Sequence, residues 1–220
     1  MKGEEVHPYN TLQEVPAETC LLIVGTAPPQ RFAQDPPKPL CDGDIDFYYG
    51  SADNQLWSKI FPAIYKTTFV ASSPDVSRRI IITFLKDHKI WMRDILLRYS
   101  RNDDSANDKD LIPLDFTTFR PIFELHPTIK TLIFTGELAE KLTGAQLTRE
   151  RLIRDGQFRR VGNMPRPRQL AIDLDGEQRG IITYTLPSPS KATFQNYVLD
   201  KKIKMYADIF LDRCPSNFPK

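Results

Sequence analysis

Two uninterrupted apolar runs constrain this chain more than any other feature. They are Cys20-Leu21-Leu22-Ile23-Val24, ending at Gly25, and Thr131-Leu132-Ile133-Phe134, ending at Thr135-Gly136. Short runs with no polar alternation are strands covered on both faces, as in a parallel sheet. Stretches of helical period separate them, so strands and helices alternate. That pattern predicts an α/β fold, a three-layer αβα sandwich around a mostly parallel central sheet. Right-handed crossovers then bring three loops to one rim, after Val24, after Phe134 and after Thr185.

The remaining elements follow from local signals. Leu56, Trp57, Ile60, Phe61, Ile64 and Tyr65 recur at helical spacing, with Pro62 placed to kink or shorten that helix. Ser73-Pro74-Asp75 reads as a helix start, and Val76, Ile80, Ile81, Phe84 and Leu85 as its buried face. Ile90 to Leu97 reads as one strand before a polar loop, Ser100 to Lys109. Phe116 to Leu125 reads as a short helix interrupted at Pro121. Leu138, Ala139 and Leu142 form the inner face of another helix, closed by Thr143-Gly144. Thr148 then caps a short helix containing Leu152 and Ile153. Leu170 to Leu174 and Ile181 to Thr185 flank Asp175-Gly176-Glu177 as a hairpin or adjacent strands. A last helix turns Phe194, Tyr197, Val198, Ile203, Tyr206, Ile209 and Phe210 inward.

A chain of 220 residues fits one domain, 1–220, with residues 1–19 as a polar N-terminal arm. The balance of 30 basic against 28 acidic residues supplies no bulk field for a polyanion, so nucleic-acid binding would need a local basic surface. Cys20, Cys41 and Cys214 lack metal-ligand spacing, and their odd number suits a reducing compartment. No signal peptide, membrane span or phosphate-cradling glycine loop is legible. The expectation is a cytoplasmic monomer, nuclear if eukaryotic, with no membrane association, no metal and no cofactor. His7, His88 and His126 read as solvated or structural. Asp103, Asp104 and Asp108 read as an acidic turn rather than a metal site. Arg159, Arg160, Arg166 and Arg168 read as a solvated loop, with a phosphate-facing patch as the sharper alternative.

One stretch carries chemistry. Phe47-Tyr48-Tyr49-Gly50-Ser51-Ala52-Asp53-Asn54-Gln55-Leu56-Trp57 places three aromatics before a polar turn and one carboxamide where a helix begins. An aromatic platform beside an amide suits a flat heterocycle, since the ring stacks and the amide holds a water or a base edge. The plainer alternative makes the aromatics core residues and Asn54 a helix cap. The turn Gly25-Thr26-Ala27-Pro28 after the first buried strand is either a site floor, as strand ends often are in open α/β sheets, or an ordinary loop.

Three segments together resemble the uracil-DNA glycosylase superfamily. Gly25-Thr26-Ala27-Pro28 matches a Gly-x-x-Pro turn directly after a buried strand. Tyr48-Tyr49-Gly50-Ser51-Ala52-Asp53-Asn54-Gln55-Leu56-Trp57 is similar to the Tyr-Tyr-Ala-His-Pro-Arg-Asn-x-Phe-Trp signature of the hypoxanthine-DNA glycosylase branch, and Asn-x-Phe-Trp occurs in the mismatch-specific uracil glycosylases. Leu186-Pro187-Ser188-Pro189-Ser190 is similar to the closing Leu-Pro-Ser-Thr-Ser of the first branch. Ile133-Phe134-Thr135-Gly136 falls where that branch reads Ile-Phe-Asn-Gly, and the segment from Ile90 through Arg101, Ser105 and Asp108 loosely follows another family strand and loop.

The resemblance implies a metal-free, cofactor-free enzyme that hydrolyses the N-glycosidic bond of a deaminated base, hypoxanthine or uracil, in damaged or mismatched DNA during base excision repair. Base flipping places the target in the site. Asn54 matches the asparagine implicated in activating water, and Tyr49 the aromatic that stacks on the base. Gly25, Thr26, Ala27 and Pro28 would line the base pocket, with Thr135 at its side. Pro187, Ser188 and Ser190 would clamp the DNA phosphates, and Lys191 adds a neighbouring phosphate contact. Ala27, Thr26, Thr135 and Leu186 depart from the residues of the most active uracil branches, which favours hypoxanthine. The same departures motivate a rival from another class, a non-catalytic nucleic-acid or nucleobase-binding module on this scaffold. A third alternative is a hydrolase or transferase acting on a free nucleoside.

Overall fold

The structure is a computed structural model and describes residues 3–10, 15–33, 39–102, 110–158, 162–191 and 198–213. The expected positions Ser105, Asp103, Asp104, Asp108, Arg159, Arg160, Phe194, Tyr197 and Cys214 lie outside these residues. The central sheet has five strands in the order β3-β2-β6-β8-β7. They are β2 (Leu21–Gly25), β3 (Ile90–Asp94), β6 (Thr131–Phe134), β7 (Arg166–Leu174) and β8 (Glu177–Thr185). The first four in spatial order are parallel, and β7 closes the edge antiparallel to β8.

The two apolar runs lie side by side as β2 and β6, every residue of both buried. Burial on both faces explains their unbroken hydrophobicity and makes the architecture the αβα sandwich expected. Helix α1 (Gln30–Ala33) follows the β2 turn, α5 (Glu137–Arg149) packs on β2 and β6, α3 (Pro74–Asp87) packs on β3, and α2 (Phe61–Tyr65) packs against α6 (Leu199–Arg213). Val24 pairs with Phe134 and Phe134 with Thr185, so the three anticipated loops leave from one rim. The β7–β8 hairpin turns through Asp175 (φ 55°) and Gly176 (φ 96°), the paired left-handed conformation that an Asp-Gly turn favours.

Several local expectations are corrected. Ile90 to Leu97 is not one strand: Ile95 separates β3 from β4 (Leu96–Arg101), which belongs to a second, three-stranded antiparallel sheet in the order β1-β4-β5. Its partners are β1 (Glu5–Val6) and β5 (Leu111–Phe116). The described residues of the polar arm are therefore part of the fold. Glu5, His7 and Asn10 are buried. Helix α4 (Arg120–Leu125) carries Pro121 in its first turn rather than breaking there, because proline at a first turn removes an amide that has no helical acceptor.

Thr143-Gly144 does not close α5, which runs through it to Arg149 and takes in Thr148. Leu152 and Ile153 are buried beyond the end of α5, and no second helix forms there. A Cβ at Gly144 would stand 2.3 Å from Phe158 Cδ1, so the glycine answers a packing need and not a stop signal. Val198 is exposed rather than inward, preceding the first turn of α6. Pro62 neither kinks nor truncates a regular helix. Leu56–Ile60 form a π-helical turn that passes into α2 at Phe61, where proline supplies no amide.

Candidate active site

The aromatic stretch divides its work. Phe47 and Tyr48 belong to the core, and Trp57 donates its indole N–H to Tyr48 O at 2.8 Å, pinning the loop from beneath. Ile45 N donates to Gly50 O and Gly50 N to Phe47 O, which coils residues 45–50 tightly. Tyr49 sits in the left-handed region at φ 57°, a strained conformation for an aromatic residue. This backbone turns its half-buried side chain away from its two neighbours and into a pocket.

Asp44 anchors the loop from the other side. Its fully buried carboxylate accepts Arg31 Nε at 2.6 Å, Arg31 Nη2 at 2.8 Å, Cys41 N at 2.9 Å and Ala52 N at 2.8 Å. Arg31 Nη2 also donates to Ser51 Oγ at 2.7 Å. Burial alone would raise the Asp44 pKa, but Arg31 and the two amides outweigh it and hold it below the usual carboxylate value. A lowered folded-state pKa stabilises the loop above the unfolded carboxylate range, and the contribution disappears as pH falls through the folded value. Asp44→Asn is expected to cost about 2 kcal/mol at neutral pH and to flatten the acid limb of the stability profile. Thermal melts of both proteins from neutral to strongly acidic pH measure this.

The pocket is a cavity of about 130 Å³, close to the ~150 Å³ engineered cavity that accepts a benzene ring. Thr26, Ala27 and Pro28 line it from the β2 turn, Tyr49 and Asn54 from the aromatic stretch, Thr135 from the end of β6, and Ser188 and Ser190 from the loop after β8. Residues far apart in sequence meet here because the three parallel strands end on one rim. Gly25 lies beneath: a Cβ there would be 2.3 Å from Asp94 Oδ1 and 2.5 Å from the Tyr49 hydroxyl. That hydroxyl pairs with Thr135 Oγ1 at 2.9 Å. Burial, reinforced by the charge of Asp94, raises the Tyr49 pKa well above the ordinary phenol value, so the hydroxyl remains protonated.

Asn54 stands just ahead of the π-helical turn. Its Oδ1 accepts Leu56 N at 2.9 Å at the entry to the π-helical turn, while the residue also lines the pocket. That bond orients the amide. Asn54 also forms an antiparallel bridge with Ser190, Gln55 N donates to Pro189 O at 2.8 Å, and Lys191 N donates to Asp53 O at 2.9 Å. The Ser-Pro loop is thus stitched to the asparagine loop.

Helix α6 braces the same loop from behind. Lys202 Nζ donates to Ser190 O at 2.8 Å, and the Tyr206 hydroxyl to Pro187 O at 2.9 Å. Burial lowers the Lys202 pKa. Pro187 consequently faces the interior and lines no part of the pocket, whereas the two serines do. Lys191 also lies outside the pocket lining, exposed, with Nζ donating to Ala52 O at 2.7 Å. Leu186 is fully buried in the core.

The arginine cluster is neither a solvated loop nor an open phosphate patch at its described positions. Arg166, 3% exposed, pairs with Glu140 at 2.6 Å, and Arg168 reaches Glu140 at 3.0 Å while lying over the Phe158 ring. Among the described residues no group of three or more His, Cys, Asp or Glu side chains could hold a metal, and no helix is long and apolar enough to cross a membrane.

Sequence reasoning missed Asp94 and Arg31 as pocket residues, whereas Phe47, named there as part of the aromatic platform, does line the pocket. Only Asp94 left a trace: with Arg93 it is an ionisable residue inside the apolar run Ile90 to Leu97. His7, expected to be solvated or structural, is buried with Nε2 2.9 Å from Asp94 Oδ2.

No family profile matches the sequence, and no curated protein matches it. Among solved structures, the chain is similar to the solution NMR structure of a protein from Methanosarcina acetivorans described as a "putative Uracil DNA glycosylase". The TM-score is 0.55 at 16% sequence identity, covering 89% of this chain and 91% of that one. The likeness is one of fold, extending over nearly the whole of both chains.

Proposed function

We propose that the protein is a single-domain, monomeric DNA glycosylase that releases a deaminated base, hypoxanthine in preference to uracil, in base excision repair. The observation that carries this reading is the convergence of Tyr49, Asn54, the Thr26-Ala27-Pro28 turn and the Ser188/Ser190 loop around one ring-sized pocket. The fold shared with a structure described as a uracil glycosylase agrees with it, as do the Tyr-Tyr and Asn motifs of the hypoxanthine-DNA glycosylase branch.

The reaction breaks the bond between C1′ and a base nitrogen, leaving cationic character on the sugar and negative charge on the base. A water adds to C1′, and its proton leaves toward the base. Tyr49 stacks on the flipped ring, its protonated hydroxyl held at the pocket wall. Asn54, its plane set by the Leu56 amide, holds the water with its remaining oxygen lone pair and its amide hydrogens. The Ser188 and Ser190 hydroxyls meet the flanking phosphates, and Lys191 stands at the outer rim.

The test is base release from oligonucleotides containing hypoxanthine or uracil. Wild type is expected to release base, with Asn54→Ala slower by on the order of 10²–10³-fold. Equal rates in the two proteins would remove Asn54 from the mechanism. A second reading, recognition without turnover, draws on Leu186, which is buried in the core and offers the pocket no polar group. Wild-type binding to base-lesion DNA with no release would favour it.

A further inference from the structure

Lys202 breaks the local rules for placing a charge. It stands near the N-terminus of α6, where the helix macrodipole disfavours a cation, and it is only 2% exposed. Its ammonium donates to Ser190 O at 2.8 Å and reaches Gln55 Oε1 at 3.5 Å, both neutral acceptors. Among the described residues no carboxylate pairs with it, and burial lowers its pKa with no opposing charge to offset the shift. A buried cation without a counter-charge is costly, and an apolar side chain of similar length would hold α6 in place at less cost.

The surroundings give that charge a use. Of the ionisable side chains lining the pocket, Asp53 and Asp94 are carboxylates, and the guanidinium of Arg31 is already engaged by Asp44. A phosphodiester approaching Ser188 and Ser190 therefore meets negative charge from the pocket side. Lys202 lies behind the same loop, bonded to the carbonyl of the residue whose hydroxyl lines the pocket. Ser188 Oγ accepts Ser190 N at 3.3 Å, which leaves the Ser188 hydroxyl hydrogen available as a donor.

We infer that Lys202 is a positioning residue for the DNA backbone: its buried ammonium is the counter-charge for a phosphate seated on Ser188 and Ser190, and it holds that seat against the asparagine loop. This rests on the proposed reading that the serine loop meets DNA. The ammonium is dehydrated when the chain folds, so an arriving phosphate meets a charge that is already fixed and poorly screened. Stability is what the arrangement gives up, because the same charge disfavours the fold without DNA.

The test is a thermodynamic cycle. Binding is measured with oligonucleotides carrying hypoxanthine on a 2′-fluoro sugar, which resists cleavage. The linkages on either side of that nucleotide are natural phosphodiesters or neutral methylphosphonates. Lys202→Met keeps the length of the side chain and removes its charge. It is expected to bind the natural probe roughly 10-fold more weakly than wild type, with a log–log salt slope shallower by about 1. On the methylphosphonate probe the two proteins are expected to bind alike, because the charge that Lys202 faces is gone. The melting temperature of Lys202→Met is expected to equal or exceed that of wild type. Lys202→Gln keeps a donor for Ser190 O without the charge and is expected to match Lys202→Met in the cycle.

A lower melting temperature or loss of folding in Lys202→Met would make Lys202 a fastener of α6 and overturn the inference. So would an equal deficit on both probes, no deficit on either, or wild-type binding by Lys202→Gln. Those outcomes leave the proposed function standing. Failure of wild type to bind the natural probe overturns the inference and the proposed function together.

Discussion

Alanine at Gly50 is expected to destabilise the protein by about 3 kcal/mol and to open the loop that carries Tyr49. A Cβ at this position would stand 1.9 Å from Ile45 O and 2.8 Å from Phe47 O. Both are backbone atoms, and both carbonyls already take part in the coil: Phe47 N donates to Ile45 O at 2.7 Å, and Gly50 N donates to Phe47 O at 3.0 Å. No side-chain rotation relieves such a contact. The coil must unwind, and Ile45 N then loses its bond to Gly50 O. Chemical denaturation measures the loss as a lower midpoint with an unchanged slope. A midpoint equal to that of wild type would mean that the 45–50 coil is looser than its geometry implies.

Alanine at Gly25 attacks the pocket more than the fold. The added methyl would collide with Asp94 Oδ1 and the Tyr49 hydroxyl, two groups tethered to His7 and Thr135 respectively. They are side-chain ends and give way at a cost of about 1–3 kcal/mol. Giving way moves the stacking ring and the carboxylate together. If the pocket performs base release as proposed, a displacement of this size lowers the rate by at least about 100-fold, because the near-attack geometry is lost. Single-turnover release assays beside thermal melts separate the two effects. Wild-type release from a folded Gly25→Ala protein would show that the Gly25 floor takes no part in the chemistry.

The two substitutions contrast the sources of constraint at this site. Gly50 is required by backbone packing within six residues of sequence. Gly25 is required because Asp94 and Tyr49 arrive at β2 from different parts of the chain. The Asp44 anchor behaves like Gly50, and the Asp94–His7 pair like Gly25. His7 is separated from Asp94 by 87 positions. No local pattern predicts such a partnership.

The sequence by itself determined the parts whose cause is local. Unbroken hydrophobicity marked β2 and β6 because both their faces are covered, and Asp-Gly marked the β7–β8 turn because both residues take a left-handed backbone. Strand-and-helix alternation then specified the αβα architecture and the rim on which Thr26, Thr135 and Ser188 meet. Tertiary structure decided what depends on partners. Gly144 lies within a helix rather than after one because Phe158 needs its space, and Ile90 to Leu97 serves two sheets because β1 and β5 flank its second half. Asp94 becomes a pocket wall only when Gly25 and the N-terminal arm close around it. Hydrophobic period and turn chemistry are written within a few residues. Steric exclusion and the pairing of buried polar groups exist only between segments that folding brings together.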